Sequence, residues 1–382
     1  MLNAFAPPFK VVAIYFIFAF CYLLAFMFLF SYSNYDFESY QFKAFLHCFF
    51  AGFALNIIIG SLYQLSSVIY EKAFFSIKGV FFVSFICNIS LAFIMYSFLN
   101  YDLELLKYSV FAMILSVFYF IVLFLISFFD FNNIAKSALF CGVVFLALGL
   151  VCAGLIVLIL NGLIYLDYEL ILHLHIYFML GFILFICIGA ASVLLPMFAL
   201  THKHKNYLLW LSLVAYFLAF FHKSIAIFSL ACFVFWCLYI LKIRTRKAKD
   251  YWNLNIVFAC IGSFLAMREF YVLDYALAIK LLIFATILPF IIAHIYKILP
   301  FLIWFHFISK LIGKIKVPLL DDMVIKKAAF FTMLINICLV ISLYFSSSIY
   351  LYIALNIGLL INVINFFTYI NYKGAKNEKA SN

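Results

Sequence analysis

The sequence predicts an all-α, polytopic bundle of about twelve transmembrane helices. Three observations carry that expectation: 70% of the residues are hydrophobic and only 10% are charged, the apolar residues recur in runs of about twenty, and no run alternates polar with apolar positions. A soluble chain needs more charged surface than this one has. Each run is long enough to cross the hydrocarbon core as a helix, and inside lipid a helix satisfies its own backbone hydrogen bonds. The missing alternation argues against a transmembrane β-barrel.

In chain order, helices are expected at 10–31, 42–68, 78–98, 106–128, 138–163, 170–199, 206–221, 225–241, 253–268, 275–299, 326–346 and 349–370. Pro7, Pro8 and Lys10 lead into the first. No small-residue cleavage site follows it, so it reads as a retained span and not a signal peptide. The seventh and ninth runs are short. The tenth is too long for one straight span: Pro289 and Pro300 interrupt it, and Phe301–Ser309 is expected at the membrane interface. The expected organisation is one transmembrane domain over 1–372 and a short polar tail over 373–382, with no large soluble domain.

The charges test the helix count. With twelve spans, one side collects Lys10, Lys72, Lys78, Lys136, Lys203, Lys205, the cluster Lys242–Lys249, Lys310–Lys327 and the tail lysines. The other side holds only Lys43, Lys107, Lys223, Arg268 and Lys280, with the acidic pairs Asp36/Glu38, Asp102/Glu104 and Asp167/Glu169. The positive-inside rule puts both termini in the cytoplasm of a bacterial inner membrane. The net charge of +11 is then explained by topology and anionic lipid. The lipid bilayer is the partner implied, and no nucleic acid is needed. The ten cysteines are scattered singly through apolar runs without a CxxC pair, as small buried hydrophobes rather than disulfides or zinc ligands. The many Phe and Tyr residues read as lipid-facing or packing groups from an AT-rich coding sequence.

Ionisable groups inside a membrane are costly and mark function by default. His47 on the second helix, His173 and His175 at the start of the sixth and His222 at the end of the seventh share the outer level. His202, His204, His294 and His306 fall on the inner side. Neutral imidazole ligates haem iron and copper, and bundles build such sites from facing helices. The plainer reading is interfacial histidines meeting water and headgroups. His47 is followed by Gly52-Phe53 and Gly60, and His173/His175 by Gly181-Phe182 and Gly189. This echo suggests that the Gly52 and Gly181 surfaces let helices pack closely. Facing angle favours His173 and depth favours His175, so one of the two is expected to face His47. Asn56 is expected to link helices through its amide, Lys297 to snorkel to the inner interface and Trp304 to anchor there.

The Gly-rich second helix with its outer His47, the sixth helix with His175, Gly181, Gly189, Pro196, Met197 and Phe198, and the segment Lys297–Trp304 resemble a known group. They look like the haem-copper oxidase subunit I-like membrane proteins, a group that includes the NnrS family. The resemblance implies twelve helices, both termini inside, and haem and copper near the outer side, ligated from the second, sixth, seventh and tenth helices. It assigns His47, His173 and His175 to cofactor binding and His222 to a metal, and no residue to catalysis. An oxidase carries paired histidines on the seventh helix and two more on the outer part of the tenth. Here the seventh offers only His222, and the tenth offers His294 toward the other face. The resemblance therefore implies the scaffold with haem or copper, in nitric oxide stress or respiratory metal handling, and no terminal oxidase. A small-solute transporter or a structural membrane subunit with incidental histidines is the alternative. The same-direction echo and the scarcity of midplane charge disfavour an inverted-repeat carrier.

Overall fold

The computed structural model describes residues 5–34, 36, 38–201, 203–245, 247, 250–345 and 349–373, and no strand occurs among them. They form twelve helices, one for each expected run. These are α1 Phe9–Asn34, α2 Tyr40–Ile69, α3 Val80–Asn100, α4 Leu103–Ser127, α5 Ile134–Leu160, α6 Tyr168–Ala199, α7 Tyr207–Leu218, α8 Lys223–Ile243, α9 Tyr251–Tyr271, α10 Tyr275–Leu311, α11 Lys326–Ser342 and α12 Ile349–Asn371. Ten of them are long and apolar enough to cross a membrane, as in a multi-pass membrane protein. The other two are α7, with 12 residues, and α11, with 17. At about 1.5 Å per residue both fall short of a hydrocarbon core about 30 Å thick. α9, expected to be short, runs for 21 residues. Beyond Lys373 the expected polar tail lies outside the described residues.

The polar residues between the runs start helices. Ser39, Asp102, Asn133, Asp167, Asp250 and Asp274 each accept a backbone N–H in the first turn of the helix that follows. In the pairs Asp102/Glu104 and Asp167/Glu169 the aspartate is the cap, and the glutamate sits in the first turn, against the positive end of the helix dipole.

The chain divides into two compact units, Met1–Lys247 with α1–α8 and Ala248–Asn382 with α9–α12. In the first, α5 and α6 make the most extensive contact. Gly142 and Gly189 let Ile186 and Leu139 reach the opposing backbone, and Gly181 lies against the rings of Phe145 and Tyr216. Gly52 and Gly60 receive Tyr22 and Tyr15 of α1. The echoed glycines thus bring α1 onto α2 and α5 onto α6. They do not press α2 against α6, which corrects the expectation drawn from the echo.

In the second unit Gly262 of α9 meets the backbone of Ala285 in α10. There a π turn, Leu282–Ile287, precedes Pro289, and a second, Trp304–Ile308, follows Pro300. A proline ring gives no N–H and presses on the carbonyl one turn back. A widened turn ahead of Pro289 relieves that pressure. The helix therefore does not break at either proline, and 301–309 continues α10.

Candidate functional site

The site is built from the first turns of α2 and α6. Ser39 caps α2, and eight residues later the helix reaches His47, directly before a π turn at Cys48–Ala54. π turns often occur at functional sites because they re-aim the side chains beside them. The His47 ring lies against Phe98 of α3, with centroids 5.1 Å apart. Its Nδ1 is 2.8 Å from the carbonyl oxygen of Lys43. On α6, His175 places Nδ1 2.9 Å from the carbonyl oxygen of Gly149 on α5.

A carbonyl oxygen only accepts, so in each ring Nδ1 carries the proton and donates. Nε2 of both neutral imidazoles therefore presents a lone pair, and neither Nε2 has a hydrogen-bond partner among the described residues. Both rings are half-buried. His175 lies close enough to His47 for charge on one ring to act on the other, and Glu169 bears on Lys43 in the same way. The backbones of α2 and α6 are not closely packed.

Of the other expected residues, His173 is exposed on α6. His222 is exposed and caps α8, its Nδ1 accepting the N–H of Ser224 at 3.2 Å. Neither joins the pair. His202 lies outside the described residues. His204 is half-buried in the connection before α7, where burial pushes its imidazole below the usual range. His294 places Nδ1 2.7 Å from the carbonyl of Phe290 within α10, and His306 sits in the second π turn of that helix. No group of three or more His, Cys, Asp or Glu side chains is arranged to hold a metal ion among the described residues.

Two polar constructions were only partly visible in the sequence. Asn56 does link helices, and its partner is Asn88 on α3: each amide donates to the other, at 2.9 and 3.2 Å. Each also donates one turn back along its own helix, to Gly52 and Ser84. Lys297 forms a cluster with two carboxylates. Its Nζ is 3.2 Å from Asp250 and 3.3 Å from Asp321, and its side chain is 10% exposed. Trp304 donates from Nε1 to the carbonyl of Pro318 at 3.0 Å. Asp321 in the Lys-rich connection was the available hint to this pairing. No family model matches the chain, and no curated protein matches it.

Proposed function

We propose that this chain is a bacterial inner-membrane protein on a haem-copper oxidase subunit I-like, NnrS-like scaffold, holding one haem between His47 and His175. The observation that carries the reading is the matched preparation of the two imidazoles. Each is fixed by an Nδ1–H bond to a backbone carbonyl and presents Nε2. This outer-shell bond orients a metal-ligating histidine and raises its basicity. A haem brings four ring nitrogens of its own and needs at most two from the protein, so a two-histidine donor set fits haem. A protein-built copper centre takes about three ligands, and no third converges here among the described residues. Bound between them, haem supplies a redox-active iron centre. The chain's own part is to hold both rings neutral and oriented, with Phe98 packed on one of them.

On this reading the protein acts in nitric oxide stress or respiratory metal handling, with both termini cytoplasmic and the haem site toward the periplasm. It does not reduce oxygen, because α7 and α10 lack the paired histidines that a second haem and copper require. The composition of the purified protein tests this. One haem per chain, with nitric oxide changing its spectrum and no cyanide-sensitive oxygen consumption from a reduced donor, is the expected result. Oxygen consumption would overturn the exclusion of an oxidase. Reporter fusions after Lys249 and Lys379 are expected to read cytoplasm, and a periplasmic signal from either would overturn the topology.

A further inference from the structure

The haem reading leaves an apolar groove of the first unit unused. It lies between α4 and α5. These helices are tied at one end, where Asn161 donates from Nδ2 to the carbonyl of Leu103 at 3.1 Å. Their contact is less extensive than that of α5 with α6, and the seam opens into a groove of about 390 Å³. Phe111, Leu115 and Phe118 of α4 line it, with Leu150, Gly154 and Leu158 of α5. Gly154 keeps the wall low: a Cβ there would come within 3.3 Å of Ile114. Leu115, on the rim, is 73% exposed, so the groove opens outward.

The charges of α4 stand over the mouth of this groove. Leu115 is the middle residue of the 25-residue helix, so the groove lies at the middle of the span. Lys107 stands about 12 Å from that level along the helix. Its side chain leans further toward the helix start, into the headgroups that begin about 15 Å from the midplane. At about 100° per residue, with Lys107 at zero, Phe118, Phe111 and Leu115 fall at about 20°, 40° and 80°. On the same scale Glu104 falls at about 60° and Tyr108 at about 100°. Glu104 and Lys107 therefore share the face that walls the groove, one turn apart. The Lys107 ammonium lies over the Tyr108 ring, 4.9 Å from its centroid, which carries it across that face. Glu104 and Tyr108 are exposed and Lys107 is half-buried.

We propose that the α4–α5 groove binds one phospholipid whose headgroup ends in a primary ammonium. An acyl chain lies in the groove, the phosphate meets Lys107, and the ammonium meets Glu104 one turn further out. The order of the groups selects this occupant. An apolar groove in the middle of a span takes hydrocarbon. The cation comes next, where a phospholipid has its phosphate, and the carboxylate is outermost, where such a headgroup has its ammonium. An anionic headgroup without an ammonium answers Lys107 and is repelled by Glu104. An apolar helix of a second copy fills the groove and answers neither charge.

The test titrates the full chain in mild detergent with phosphatidylethanolamine and, separately, with phosphatidylglycerol of the same acyl chains. Native mass spectrometry reads the lipid retained per chain. One phosphatidylethanolamine is expected, in preference to phosphatidylglycerol. Lys107→Gln should weaken its retention about threefold to fivefold, the worth of an exposed ion pair. Glu104→Gln should remove the preference between the two lipids. Gly154→Leu fills the groove and should abolish retention; Leu115→Trp fills it from the rim and reads the same if the glycine variant does not fold. Equal retention of both lipids by the parent means annular lipid only and overturns the proposal. So does lipid that stays bound when the groove is filled, or a dimer that Leu115→Trp breaks, which would give the groove to a second copy.

Discussion

Two pairs of buried amides are treated in opposite ways. In the first, Asn56 and Asn88 close on each other and on their own helices, each with its donors and acceptor used. In the second, Asn336 and Asn356 are as deeply buried, and three of their four polar atoms have no partner. Residue type and burial therefore do not decide whether an amide's polar groups are consumed within the protein. Among the histidines, His47, His175 and His294 each spend Nδ1 on a backbone carbonyl, whereas His222 spends its Nδ1 on capping α8.

The largest effect is expected where the second unit does close a polar cluster. Lys297→Met removes the ammonium that Asp250 and Asp321 share. Breaking a buried pair costs about 3–5 kcal/mol, and about 3 is expected here because Asp321 is 36% exposed. Denaturant unfolding in detergent checks it, and a change near zero would mean that the cluster is not closed. Next is the clasp. Asn88→Leu strands the Asn56 amide and is expected to cost about 1–2 kcal/mol. The double variant Asn56→Leu/Asn88→Leu should recover to within about 0.5 kcal/mol of the parent, because both partners are gone. If the two single losses simply add, the pair is not a clasp.

The smallest effect lies in the exposed connection between α4 and α5. There Lys136 binds Asp130 at 2.7 Å and holds its carboxyl below the usual value of 3.8. A depressed carboxyl stabilises the fold above its unfolded pKa and loses that contribution as pH falls through the folded one. Stability is therefore expected to be flat with respect to this pair above about pH 4 and to decline below it. Asp130→Asn should remove that acid decline by giving up the pair's small contribution at neutral pH, so that parent and variant converge in acid. An acid decline unchanged in the variant would show that it comes from another carboxyl.

All twelve helices were legible because a run of apolar residues long enough to cross lipid has few other fates. The side-chain pairings were less so. Asn56 announced a polar contact by its depth, but nothing local points to Asn88, since the partner is set by how α2 and α3 pack. Gly52 and Gly181 were read as surfaces for each other because they recur at like offsets. Each in fact serves the neighbouring hairpin helix, since a repeated offset records local packing and not the identity of the partner. The π turns left no signal, because the extra residue per turn costs little where neighbouring helices support it. The difference between His175, held by the Gly149 carbonyl, and the exposed His173 comes from the packing of α5 on α6.

The most direct test of the haem reading is the visible absorption spectrum of the purified protein, produced with ample haem, beside four single variants. The parent is expected to show a Soret band. His47→Ala and His175→Ala should each abolish or shift it, while His173→Ala and His222→Ala leave it unchanged. A parent without the band, or a band untouched by His47→Ala and His175→Ala, would contradict the haem site and leave only the membrane bundle standing.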